Sequence, residues 1–314
     1  MVMNGIYLVI ASACILILAY RFYGAFIAAK VLTLDENRPT PAMVHNDGHD
    51  YVPTNKWVTF GHHFAAIAGA GPLVGPVIAA QFGYLPGALW ILIGSVLAGA
   101  VHDMVILFAS VRYDGKSIAD IAREEISKFA GFGAMLATLF LLIITLAGMA
   151  VVVANALHNS PWGFFSVFAT IPIAIFIGIY LKWLRPGKIQ EATIIGVVLI
   201  FAAIIYGPNV AASQYASWFT YDLQTIEIML AVYGFFAAAL PVWLLLAPRD
   251  YLSTYLKIGT IGALALGIII VMPEIQMPAV TPYLWGGGPV LKGSVFPYIF
   301  ITIACGALSG FHTV

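Results

Sequence analysis

Long runs of apolar residues, each about as long as a hydrocarbon core is thick, alternate with short polar connections along the whole chain. An α-helix needs about 20 such residues to span a bilayer, and in lipid its backbone groups must pair within the segment. The pattern predicts spans over residues 5–29, 57–81, 84–111, 131–156, 163–183, 189–206, 226–247, 251–272 and from 295 onward. The first lacks the short apolar core and small-residue cleavage site of a removable signal, so it is expected to stay as an anchor. The expectation is an all-α polytopic integral membrane protein of about nine spans, one transmembrane domain over residues 1–314.

Positive residues set the orientation, because short loops rich in Lys and Arg stay in the cytoplasm. Lys30, Arg38 and Lys56 follow the first span; Arg112, Lys116, Arg123 and Lys128 the third; Lys182, Arg185 and Lys188 the fifth; Arg249 and Lys257 flank the junction after the seventh. The opposite connections hold a single base, Lys292. The amino terminus is therefore expected outside. Two cytoplasmic stretches carry more than a linker. Residues 31–56 are polar and broken by Pro39, Pro41 and Pro53, which forbids one continuous helix. Within residues 112–130, Ile118, Ile121, Ala122, Ile126 and Phe129 fall at helical spacing, as in an interfacial amphipathic helix or a plain solvated one.

Residues 60–81, FGHHFAAIAGAGPLVGPVIAAQ, break the membrane pattern. Gly69, Gly71, Pro72, Gly75 and Pro76 crowd into eight residues, where each Gly costs about 1 kcal/mol and an interior Pro about 3 kcal/mol relative to Ala. Two readings stand. Uncoiled backbone at this depth forms the solute site of many secondary transporters, whereas small residues also allow a close helix crossing. In the first reading the binding residues are His62, His63, Gly69, Gly71, Pro72, Gly75 and Pro76. A second candidate break, residues 304–313, adds Ser309, Gly310 and His312. It enters from the opposite side, as an inverted repeat requires.

Charged side chains inside a span cost about 2.5–3.5 kcal/mol or more on insertion scales, so the few present are functional candidates. Asp103, with His102 beside it, interrupts LAGAVHDMVILF. Burial penalises the charged form of a carboxyl and an imidazole can relay a proton, so Asp103 and His102 are the candidate proton-coupling groups. The alternative is a permanent structural pair with Lys56 or Arg112. Arg249 and Asp250 follow a proline at the cytoplasmic junction and read as a gate or a turn anchor.

Composition narrows the class. Charged residues make up 9% of 314, against roughly 25% in soluble domains. Fourteen bases balance fourteen acids, which leaves no basic field for nucleic acid. Cys14 and Cys305 lie in apolar runs and read as buried hydrophobes. His45, Asp47, His49 and Asp50 offer a loop site for a divalent ion, but no HExxH or cysteine set accompanies them, so neither a metal nor another cofactor is expected. Besides a transporter, a nutrient sensor and a haem or metal oxidoreductase remain as classes.

The stretches NDGHDYVPTNKWVTFGHHFAAIAGAGPLVGPVIAAQFGYLPGALW (46–90), AGAVHDMVILF (98–108), LPVWLLLAPRDYLSTYLKIGT (240–260) and FITIACGALSGFH (300–312) closely resemble the carbon starvation protein A family, over nearly the whole chain. The resemblance implies a bacterial inner-membrane transporter importing small peptides under carbon limitation, with proton-coupled pyruvate symport among relatives. It also implies a fold similar to that of amino-acid transporters with inverted repeats. Family members are about twice as long and continue past a motif like SGFH, so the chain reads as an N-terminal part stopping within its last span. Some relatives carry Gln where His102 stands, which leaves Asp103 as the leading proton carrier.

Overall fold

The computed structural model describes residues 3–35, 37–48, 51–185, 187–241 and 243–308. Among them the chain is helical, with no β-sheet and one isolated antiparallel bridge between Asn4 and Glu274. Seven helical stretches are long and apolar enough to cross a membrane: Gly5–Val31, Lys56–Phe82, Tyr84–Arg112, Lys128–Leu157, Pro161–Leu184, Ile189–Ala211 and Leu246–Val271. These stretches contain α1 (Gly5–Leu18), α3 (Lys56–Ile67), α4 (Ala70–Ala79), α5 (Tyr84–Gly94), α6 (Ala100–Arg112), α8 (Lys128–Leu157), α9 (Pro161–Ile179), α10 (Ile189–Ala211) and α12 (Leu246–Val271). Short helices α2 (Pro41–Val44) and α7 (Ile118–Glu125) lie in the connections.

The two remaining predicted spans are shorter apolar helices, α11 (Leu223–Ala239) and α13 (Val295–Ala307). For α11 proline chemistry accounts for the difference, and α13 starts where expected and is described as far as Leu308. Leu240 precedes Pro241, whose ring excludes the helical region for its predecessor, and Leu240 is extended at φ −77°, ψ 150°. Phe296, before Pro297, leaves the helix in the same way at φ −96°, ψ 127°. Pro248, in contrast, sits in the first turn of α12, where a missing N–H breaks no intrahelical bond. The chain therefore leaves the helix at residues 240–241 and turns at 243–245, and the expected junction at 248–250 is helix.

The chain divides into two compact units. One comprises residues up to Lys56, Ala66–Leu141 and those from Ile261 on. Its core gathers Ala79, Phe82, Ile299, Ile303 and Ala307, with Trp90 meeting Phe300 edge to face at 4.5 Å between centroids. Here α13 packs on α4 and α5 at backbone distance. A Cβ at Gly75 would overlap the Thr302 carbonyl, and one at Gly306 would press on Pro72. Gly94 and Gly99 both face Ala307. Five residues do not return to one face of an α-helix, but the π-helical turn Ser95–Gly99 adds the residue that makes them do so.

In the same unit the long connection after α12 is laid against the turn before α5. Gln81 Oε1 accepts from Leu291 N at 2.9 Å while its Nε2 donates to the Leu291 carbonyl at 3.1 Å. Gly83, at φ 101°, lies so close to the Ala279 carbonyl that only glycine fits. Asn4 and Gly5 bond Met272 and Pro273, and Tyr51 donates to the Asp114 carbonyl at 2.7 Å. Each of these pairings joins connections that the charge pattern assigns to one side of the bilayer.

The other unit comprises Trp57–Ala65 and Leu142–Thr260. Its largest core cluster joins Ile177, Ala192, Ile200, Tyr251 and Leu252, with Gly196 leaving room for Leu252 and Gly178 for the 243–244 backbone. Asp222 caps α11 through Thr225. The amphipathic stretch expected to end at Phe129 stops earlier. In the first unit, Ser117 caps α7, which ends at Glu125, and Phe129 belongs to α8.

The close crossing of α13 yields a prediction. Gly75→Leu should destabilise the protein by about 1–3 kcal/mol, as over-packing does, whereas Gly133→Leu, with nothing within 4 Å of its added Cβ, should not. Thermal unfolding of both variants in detergent checks this, and equal midpoints would remove the crossing as a packing constraint.

Candidate functional site

The break in the second membrane stretch is real but short. α3 ends at Ile67, Ala68 and Gly69 bend, with Gly69 extended at φ −84°, ψ −168°, and α4 resumes at Ala70. The uncoiled stretch expected through Pro76 is corrected accordingly, since Gly71, Pro72, Gly75 and Pro76 are helical. Pro72 is the third residue of α4, where no intrahelical donor is missed, and Pro76 withdraws only the bond to the Pro72 carbonyl. Gly75 serves the crossing with α13. The packing reading therefore holds for residues 71–76, and the open backbone is confined to the ends of α3 and α4.

The carbonyl end of α3 is met by one polar face of α12. Residues 250, 254 and 257 are spaced four and three apart, which puts them on one side of a helix. Asp250 Oδ2 lies 3.9 Å from His62 Nδ1. Thr254, buried, donates to the Gly61 carbonyl at 2.8 Å. Lys257 Nζ donates to the Ala65 carbonyl at 3.0 Å. In an unbroken helix Ala65 would accept from Gly69, but Gly69 N turns to the Ile67 carbonyl at 2.9 Å. The bend thus leaves Ala65 open, and the lysine fills it.

Arg249 and Asp250, expected in a turn, are instead in the first turn of α12 and point to different partners. Arg249 Nη1 donates to Tyr233 Oη at 2.7 Å, with its guanidinium 4.9 Å from the ring centre. Asp250 joins His62, so two residues with separate expected roles meet. His63 follows on α3, part-buried. Tyr251 bonds Thr193 and Tyr255, at 2.7 and 2.8 Å, tying α12 to α10.

His102 and Asp103 stand on the first turn of α6, just after the π-helical turn. Their side chains are 3.4 Å apart at Nδ1 and Oδ1, with Asp103 17% exposed and His102 45%. Arg112, the alternative partner for Asp103, lies over Phe108 at 4.7 Å. The remaining candidates, Ser309, Gly310 and His312, lie outside the described residues, and α13 is followed only as far as Leu308. Of the loop candidates, His45 Nε2 lies 3.6 Å from Asp114 Oδ1 and Asp47 accepts from Tyr51 N; His49 and Asp50 also lie outside the described residues.

Sequence reasoning missed Lys257 because it was counted among the charges flanking the junction, although the expected span 251–272 already held it. The signal was present in the spacing: Asp250, Thr254 and Lys257 share a helical face ahead of fourteen mostly apolar residues.

Comparison with known proteins gives the same direction. The chain is 58% identical over 313 residues to Peptide transporter CstA of Campylobacter jejuni, covering 99% of this chain and 44% of that protein. Against Peptide transporter CstA of Escherichia coli the identity is 56% over 312 residues, with the same coverages. Against the Pyruvate/proton symporter BtsT of Escherichia coli it is 52% over 314 residues, again 99% and 44%. The chain spans less than half the length of these three relatives. No solved structure matches it. The family described as Carbon starvation protein CstA matches residues 4–314, and the chain, whose described residues are helical with seven helices fit to span a membrane, belongs to that family.

Proposed function

We propose that the chain is the N-terminal part of a secondary active transporter that imports small peptides with protons across the bacterial inner membrane, in response to carbon starvation. The observation that carries this reading is the helix interrupted at Ala68–Gly69 within a membrane-length stretch, its carbonyl end held by a polar face of α12. Interrupted spans supply backbone groups for solutes and coupling ions at mid-membrane depth. In this reading the α4 amino terminus, through Gly71 and the turn that opens it, presents amides to a substrate carboxylate, while the extended Gly69 leads the chain into that turn. Pro72, Gly75 and Pro76 hold that end against α13, and His62 and His63 are further binding residues on the pattern of the sequence. Ser309, Gly310 and His312 would complete the site from the second break.

The pyruvate reading has its own support, since BtsT, at 52% identity, is named a pyruvate/proton symporter. Peptides and pyruvate share a carboxylate, and the same helix terminus serves either. The function is transport rather than catalysis. About nine crossings follow if α11 and α13 also traverse, and opposed breaks in the second and last spans give the inverted repeat. The excess of Lys and Arg in alternate connections supports an outside amino terminus.

Asp103 is the coupling carboxyl and His102 its relay. Its carboxyl is mostly enclosed and lies 3.4 Å from the His102 imidazole, a group able to relay a proton. In the complete protein, reconstituted in vesicles, Asp103→Asn should reduce pH-gradient-driven accumulation of labelled peptide to the level of protein-free vesicles, with membrane insertion intact. Undiminished accumulation would refute the role. Excess pyruvate in the parent assay separates the substrates, competing only if pyruvate shares the site.

Orientation is tested separately. A membrane-impermeant thiol reagent should label Lys292→Cys on intact cells and Lys116→Cys only after permeabilisation. The reverse pattern would invert the topology.

A further inference from the structure

Lys257 lies 11 residues from one end of α12 and 14 from the other, about 16 and 21 Å along the axis at 1.5 Å per residue. An ammonium at that depth is costly unless something in the protein holds it. Among the described residues, no carboxylate lies within ion-pairing distance of it, and its hydrogen bond goes to a backbone carbonyl, Ala65. That carbonyl is open because the chain bends two residues later and Gly69 N turns to Ile67. The end of a helix carries partial negative charge from such carbonyls, and the carbonyl ends of broken membrane helices are where coupling cations bind. A lysine amine therefore stands where a free cation would find its ligands.

We infer that Lys257 is a tethered cation in that seat and a second coupling group, which makes the transporter select protons over sodium. The inference rests on the transport reading. In the resting state the ammonium donates to Ala65 and holds the end of α3 against α12. When it releases a proton to water on the inner side, it becomes a neutral amine, whose bond to the carbonyl loses charge assistance and about half its strength. The α3 end is then free to move, and a proton taken from the outer side resets it. No metal ion enters the cycle. The charges that act on the amine are Asp250 and Arg249 from its own helix; α3 brings His62, itself against Asp250. Tyr251 bonds both Thr193 and Tyr255.

The test uses the complete protein in vesicles and compares gradient-free substrate exchange with accumulation driven by a proton or a sodium gradient. The parent should accumulate substrate with a proton gradient and be indifferent to sodium. Lys257→Gln keeps a donor for Ala65 but cannot titrate, so it should exchange substrate and fail to accumulate it under any gradient. Lys257→Arg, permanently charged, should behave the same. Proton-driven accumulation in either variant overturns the inference, as does a sodium requirement in the parent. Loss of exchange in both variants also overturns it, because it assigns Lys257 to the scaffold. A parent that neither exchanges nor accumulates any substrate instead sinks the transport reading itself, and this inference with it.

Discussion

A peptide group in hydrocarbon must find a partner inside the protein, because there is no water to supply one and each orphan costs several kcal/mol. This constraint governs the interrupted helix. Stopping α3 at Ile67 strips its last carbonyls of donors, so the sequence has to place others at the same depth. One arrives on the long side chain of Lys257, reaching Ala65. One turn earlier Thr254 adds a bond to Gly61, and Asp250 stands by His62. The face of α12 that would otherwise look misplaced in an apolar helix is what lets the break exist.

Glycine does a different task on the far side of the bend. Hydrophobicity gives helices in lipid no reason to associate, so close packing has to supply it. Gly75 and Gly306 bring α4 and α13 to backbone contact, and Gly94 and Gly99 do so for the helix that follows. The π-helical turn at Ser95–Gly99 keeps the last two on one face. It also sets the register of His102 and Asp103 a few residues later. Packing and candidate chemistry are thus linked through one extra residue in one turn.

Much of this was legible in the chain. Apolar run length located the membrane helices, since length and composition alone decide whether a helix can cross. The bend at Ala68–Gly69 was visible in the Gly and Pro cluster, but its extent was not. Whether Gly71 to Pro76 coils depends on α13, more than 200 residues away, and no local pattern reports that. The limits of α11 were missed because Pro241 was averaged into an apolar window, although the rule for the residue before proline locates the stop at Leu240. Lys257 was hidden by the same error: six residues into the expected span 251–272 it read as a charge near the junction, and a helix that starts at Leu246 carries it closer to mid-helix. The meeting of His62 with Asp250 is long-range and had no sequence signal.

Membership of the carbon starvation protein CstA family supplies the setting in which these parts make sense, and the lysine seated on a broken helix end is the contact on which the inferred second coupling group rests. The most direct check is a carbonyl-to-amine dipolar coupling in lipid bilayers, measured by solid-state NMR on protein carrying ¹³C at the Ala65 carbonyl and ¹⁵N at lysine Nζ. A coupling of hydrogen-bonded strength, lost in Lys257→Gln, is the expected result. No coupling in the parent, with Gly69 N bonded to Ala65 as in an unbroken helix, would contradict it.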